Sequence, residues 1–361
     1  MDKYLDSLND EIREYFRILC PDIPYWLGEY IDTPAMKRIG EISINCGTDY
    51  SGCFNPLYWY SNLDHSVGVA LILWNFTKDK KQTLAGLFHD IATPVFKHCI
   101  DFMNGDSVNQ ESTEDRTIVM IKNSKEIMWL LDRDGIKLEE VCDYKFYPLA
   151  DNNTPRLSSD RMEYTFSSGL RFYRIFDTEM IRKIYNNIVI FKNEDGFDEF
   201  GFQNIDICVE YIKNISRLWP TWCDDKDRTV MQFLADICKS MIVSEQLSID
   251  DLYTLSEEQV IDMIIKSDDV YLAQSFKKFQ KANTVYSSEN FISDKYCVNV
   301  YSKTRYINPL IMVDGVVKRI YDVSLECRNL IDEFLNFPKG GYYTYFDFDF
   351  KPYKTRRLLK D

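Results

Sequence analysis

Up to about residue 285, apolar residues recur at the three- and four-residue spacing of one helix face. Examples are VGVALILWNF, TLAGLFHDI, RTIVMIKNSKEIMWLL, VEYIKNISRLW, TVMQFLADICKSMIV and EEQVIDMII. Ser112 with Asp115 three residues on, and Ser256 shortly before Glu258, stand where N-terminal capping residues belong. One stretch breaks the helical spacing. NNIVIFKNEDGFDEFGF joins a β-rich run to an Asp-Gly pair and predicts a hairpin at about 187–202.

Beyond about 285 the pattern changes. KYCVNVYSKTRYINPLIMVDGVVKRI carries two β-type runs around Asp314-Gly315, RNLIDEFLNF has helical spacing, and GGYYTYFDFDF alternates aromatic with polar residues. The expected fold class is mainly α: a helical core over 1–285 with a small C-terminal α+β appendage over 286–361. No Pro- or Ser-rich linker separates the two, so the appendage should pack on the core. The tail YYTYFDFDF reads equally well as an edge strand on the body or as an interface.

Composition narrows the partners. Of 361 residues, 45% are hydrophobic and 15% aromatic, enough for a well-buried interior. The 57 Asp and Glu against 43 Lys and Arg give a formal charge of −14. That field repels phosphate backbones and anionic lipid, arguing against long nucleic acid and membrane surfaces as partners. A small anionic substrate remains compatible, because a bound cation and a few basic side chains reverse the potential inside one pocket. The ten cysteines form no CxxC pair and read as reduced core thiols. The opening MDKYLDSLNDEI is acidic, and no run approaches the ~18 apolar residues of a membrane span, so the expected location is the cytoplasm.

The three histidines all fall between 65 and 98. Taken singly, a helical His is more often a hydrogen-bonded structural residue than a ligand. Their order carries more. His65 follows YSNLD and begins a helix, while His89 and Asp90 close a second that stops before Pro94. Two antiparallel helices bring these ends together, a usual way to build a metal site in a helical core. Asp160 in LSSDRMEYTF opens a later helix and is the best fourth ligand. Two imidazoles and two carboxylates suit one divalent ion such as Mn, Fe, Ni or Mg, unlike a thiolate-rich zinc site. Such an ion polarises a phosphoryl oxygen and lowers the pKa of water.

His98 and Asp101 lie three apart, share a helix face and can hydrogen bond, which suits a general acid. Glu111 is a candidate base; its other reading is a helix-start Glu favoured by the macrodipole. Cations near the site are Lys97, Arg161 and either Lys37 or Arg38. Lys303 and Arg305 in YSKTRYINP read first as a solvated charged strand, with reach into the pocket or to a neighbouring subunit as the other reading.

These motifs resemble the HD-domain metal-dependent phosphohydrolases, whose ligand pattern runs H…HD…D, and look closest to the deoxynucleoside triphosphate triphosphohydrolase branch. TPAMKRIGEI is similar to the helix before the first ligand, NLDHSVGVALI to the first-ligand helix, AGLFHDIATPVFKHCIDF to the HD segment, and SDRMEYTF to the last-ligand motif. The resemblance covers roughly 30–170, with weaker echoes in LYTLSEEQVIDMI and KTRYINP. It implies an HD-domain fold in which His65, His89, Asp90 and Asp160 hold the metal. His98 with Asp101 would assist proton transfer near the phosphates, and Arg161 and Tyr164 would contact substrate phosphate and sugar. It also implies a homo-oligomer. The chain departs from the branch at Ala92 and Thr93, where a Gly-His pair is common, at Asn62, where an Arg is frequent, and at Ser168, where a sugar-reading Asp stands. The catalytic His of the following helix has no counterpart, as QESTEDRT offers only Glu111, Thr113, Glu114 and Asp115. Additional histidines of the dinuclear branches are missing, which favours a single ion. The expected function is metal-dependent hydrolysis of a phosphoester or phosphoanhydride in a nucleotide-like small molecule. The alternatives are a nucleotide sensor or scaffold that has lost turnover, and a phosphodiesterase.

Overall fold

A computed structural model describes residues 1–112 and 116–354. The fold is mainly α, with two small sheets. The helix Asn62–Thr77 starts where expected because Ser61 and Asp64 form a reciprocal capping box. Lys80–Phe88 follows after a short turn, with the Asp79 carboxylate accepting from the backbone N–H groups of Lys81 and Gln82. The two helices pack closely because residue 86 is glycine: a Cβ there would lie 2.4 Å from Leu73 Cδ1. Ser159–Arg171 lies against the first of them, capped by the Ser158 hydroxyl. Gly68 admits it in the same way, since a Cβ there would lie 2.6 Å from Glu163 Cγ.

The apolar side chains form two cores. One joins the N-terminal helices to these three helices and to Ile307, Ile311, Ile320 and Ile331. The other gathers Val95, Phe96, Cys99, Ile100 and Phe102 around the long helix Asp225–Val243, together with Tyr296, Phe346 and Phe350.

The hairpin is β1 (Ile188–Lys192) with β2 (Asp198–Phe202), turning at Asp195-Gly196. Two short strands, β3 (Tyr286–Ser288) and β4 (Tyr296–Val298), precede a second hairpin of β5 (Leu310–Val313) and β6 (Val316–Arg319). Asp314 and Gly315 both take positive φ in that turn, as a two-residue hairpin requires. β5 runs parallel to β2, so the two hairpins make one sheet in the order β1-β2-β5-β6. β7 (Tyr343–Phe346) sits between β3 and β4.

Two expectations need correction. The aromatic tail is no edge strand: β7 is central in its sheet, with Phe346 and Phe350 in the second core. The single pattern RTIVMIKNSKEIMWLL is two helices, Thr117–Asn123 and Lys125–Arg133, divided at Ser124, whose hydroxyl caps the second. Ser256 caps its helix as expected, with Gln259 as its reciprocal partner. Residues 113–115, which would supply the carboxylate of the Ser112 cap, lie outside the described residues. All ten cysteines are free thiols, six of them buried. No helix among the described residues is long and apolar enough to cross a membrane.

Candidate metal centre

His65 stands in the first turn of its helix, His89 caps the end of Lys80–Phe88, and Asp160 is in the first turn of Ser159–Arg171. Packing those helices brings the three side chains together. The two imidazoles face each other with Nε2 to Nε2 at 3.2 Å. Asp160 Oδ1 lies 3.0 Å from His65 Nε2 and 3.9 Å from His89 Nε2. Asp90 Oδ2 is 3.6 Å from His89 Nε2.

The other ring nitrogens settle the tautomers. His89 Nδ1 lies 2.7 Å from the Gly86 carbonyl, which only accepts, so Nδ1 carries the hydrogen. His65 Nδ1 donates to Glu163, a carboxylate sealed in the core. With an ion bound, both rings would be neutral and turn Nε2 lone pairs toward each other and toward two carboxylates. Four such atoms need positive charge among them: a proton on His65 Nε2, 3.0 Å from Asp160 Oδ1, or a cation that displaces it. The donor set fits one divalent ion held by His65, His89 and Asp160, with Asp90 beside them. The Nδ1 contacts are the outer hydrogen bonds that fix metal-ligating histidines.

Electrostatics follow the same geometry. Burial lowers the basicity of His65, but Glu163 and Asp160 outweigh it and carry its pKa up to about 9. Burial opposes ionisation of Asp90, yet Lys97, His89 and His65 hold its carboxyl far below the usual range. Asp160 behaves likewise, with His65 as its main counter-charge against burial. Lys97 Nζ is 2.6 Å from Asp90 Oδ2 and 2.9 Å from Asn62 Oδ1. The loop delivering it is unusual: Phe96 and Lys97 both have positive φ, conformations that non-glycine residues adopt at a cost.

The site opens on a cavity of about 960 Å³. Among the described residues its wall carries seven Lys and Arg side chains against five Asp and Glu, where the whole chain carries a net −14. His98 is on that wall, its Nδ1 3.0 Å from Asp101 Oδ2, and Ser112 donates to Asp101 Oδ1 at 2.6 Å. Burial, only partly offset by Asp101, lowers His98 to about 4. It is thus neutral near pH 7, with Nε2 as an acceptor. Glu111 lines the cavity as an exposed residue, well before the helix that starts at Thr117. Tyr164 is on the wall, edge-on to Trp222 at 5.2 Å. Arg161 is also there, but its guanidinium is engaged by Asn152, Ser158, the Arg156 carbonyl and Asp151 at 3.3 Å.

Two expected cations are elsewhere. Arg38 donates to the Ile91 and Thr93 carbonyls and so braces the HD loop from behind, and Lys37 pairs with Asp32 at 3.0 Å. Neither lines the cavity. Lys303 and Arg305, read first as a solvated strand, do line it. Sequence reasoning missed Glu163, which also accepts from Tyr60 at 2.5 Å and Tyr15 at 3.2 Å. Its place three residues after Asp160, one helix turn on, was the available signal. It also missed Arg171, which lines the cavity and donates to Asn45 at 2.8 Å. A third omission is Asp227, which burial and Asp224 push up to about 7 against the pull of Arg305.

No family model matches the chain. An uncharacterised protein of Bacillus subtilis, YdhJ, is 21% identical over 285 residues, covering 78% of this chain and 83% of that one. Among solved structures, a hypothetical protein from Aquifex aeolicus superposes with a TM-score of 0.62 at 16% identity, over 90% of this chain and 93% of the other. A phosphohydrolase from Bacteroides thetaiotaomicron does so with a TM-score of 0.58 at 13% identity, over 90% and 96%. At these identities the likeness is one of fold, and it extends over nearly the whole chain.

Proposed function

We propose that this chain is a metal-dependent phosphohydrolase of the HD-domain type, cleaving a phosphoester or phosphoanhydride of a nucleotide-like small molecule. The observation that carries this reading is the pair of facing Nε2 atoms with Asp160 at the base of a cavity whose wall is cationic. The phosphohydrolase whose fold the chain shares supports it.

In this reading His65, His89, Asp90 and Asp160 hold one divalent ion of the Mn, Fe, Ni or Mg kind. When bound, the ion supplies Lewis acidity at a phosphoryl oxygen and makes a water more acidic. The protein's own groups do the rest. Lys97 balances Asp90 and adds positive charge beside the reacting phosphate. His98, neutral and oriented by Asp101 and Ser112, presents Nε2 as a proton acceptor for attacking water. Once it holds that proton it can hand it to the leaving oxygen, the general-acid part expected from its motif. Glu111 on the rim is a second acceptor. Tyr164 offers an aromatic face and a hydroxyl to the sugar, and Arg161 stiffens the 151–158 loop while lining the substrate side.

The test is phosphate or pyrophosphate release from a panel of nucleotides by full-length protein, chelated and then resupplied with Mn²⁺ or Mg²⁺. Metal-dependent turnover, abolished in Asp160→Ala, is the expected result. Tight binding of one nucleotide without turnover would indicate the sensor alternative. Absence of both would overturn the reading.

A further inference from the structure

Residues 299–309, between β4 and β5, form neither helix nor strand and connect the second core to the first across the cavity. The backbone N–H of Ser302 donates to the Lys339 carbonyl, and that of Asn308 to the Pro155 carbonyl, so the strap is tied at both ends. Between those ties Arg305 reaches the cavity wall that His65, His89 and Asp160 also line.

The cations of this wall differ in how their charge is met. Lys97 has Asp90 at 2.6 Å, Arg156 pairs with Asp195, and Arg161 has Asp151 at 3.3 Å. Arg171 also lines the cavity, but it is 1% exposed, lies over the Tyr60 ring 5.0 Å from its centroid, and donates to Asn45 at 2.8 Å. Arg305 is half-buried and accessible, and among the described residues no carboxylate lies within ion-pair distance of it. Its hydrogen-bond partner is the neutral amide of Gln110, a buried residue held at positive φ in the loop leading to Ser112. Asp227 on the same wall feels its charge without forming an ion pair with it. A half-buried guanidinium aimed by an amide and held in no direct ion pair favours an incoming anion and offers it a planar fork of donors.

We propose that Arg305 is an anion clamp of this cavity, holding a phosphate group of the substrate while Gln110 aims its guanidinium. This deepens the phosphohydrolase reading and rests on it for the identity of the anion. It makes the strap, remote in sequence from the ligand motifs, part of substrate selection. Substrates offering phosphoryl oxygens beyond the group at the metal would gain most.

The test uses full-length protein and inorganic pyrophosphate as probe, with affinity measured calorimetrically for wild type, Arg305→Gln, Arg305→Lys and Gln110→Ala. Mn²⁺ affinity and thermal midpoint are measured on each. Arg305→Gln should weaken pyrophosphate binding at least ~tenfold, as expected for a lost charge-assisted contact, with Mn²⁺ affinity and midpoint unchanged. Arg305→Lys should recover part of the loss, and Gln110→Ala should show a smaller one. Unchanged pyrophosphate affinity in Arg305→Gln would overturn the clamp, even if the wild type hydrolyses nucleotides. So would a parallel loss of Mn²⁺ affinity and midpoint, which would mark a structural residue. A wild type that binds pyrophosphate through Arg305 yet hydrolyses no phosphate compound would leave the clamp standing and overturn the phosphohydrolase reading.

Discussion

On one side of the facing imidazoles Glu163 is fully buried, receiving hydrogen bonds from His65, Tyr60 and Tyr15, and the neighbouring Asp64 is bonded by Tyr4. On the other side Asp90, Lys97 and His98 stand on the cavity wall, delivered by a loop with two positive-φ residues and braced by Arg38. The sealed side is held by hydrogen-bond donors around two buried carboxylates. The open side is held by opposed charges that a ligand can rearrange. Rigidity is therefore concentrated where His65 is oriented, and responsiveness where phosphate would arrive.

Removing the centre of the sealed side should have the largest effect. Glu163→Ala leaves His65 Nδ1 and two tyrosine hydroxyls without their acceptor and should destabilise the fold by about 3–5 kcal/mol, read from urea unfolding. A loss below about 1 kcal/mol would break the contrast between the two sides. On the open side, Asp160→Ala should cost turnover at least ~100-fold while leaving the urea midpoint nearly unchanged, since its carboxylate is partly exposed to the cavity. A large drop in that midpoint would show that both sides bear the fold equally.

A smaller effect tests the ion pair. Lys97→Met strips Asp90 of its neighbouring ammonium, so Mn²⁺ affinity should rise by about tenfold while turnover falls. Weaker Mn²⁺ binding would instead make Lys97 a support for the ligand geometry. A separate, pH-dependent effect concerns His98. The unfolded chain takes up its proton near 6.5, the folded chain only near 4. The unfolded state thus holds the extra proton between those values. Stability is full above about pH 6.5 and declines as pH falls toward 4. His98→Phe should flatten that decline, measured as urea midpoints at several pH values; an identical slope would place the acid sensitivity elsewhere.

Much of the open side could be seen in the sequence, because His65, His89 and Asp160 sit at helix ends marked by capping residues and by Pro94. The hairpins were legible from Asp-Gly turns for the same local reason. What escaped depends on tertiary placement. Glu163 stood in plain view beside Asp160, but its burial against His65 follows from the close approach that Gly68 permits. Arg305 reads as a surface cation until β5 is paired with β2, which carries the strap across the cavity. Arg38 reads as a phosphate ligand until the HD loop folds its carbonyls back onto it.

The most direct measurement is calorimetric titration of chelated full-length protein with Mn²⁺, for wild type and His89→Ala. A centre built by His65, His89 and Asp160 requires one ion per chain in the wild type and at least ~100-fold weaker binding in the variant. Equal binding by both proteins, or none by the wild type, would contradict it.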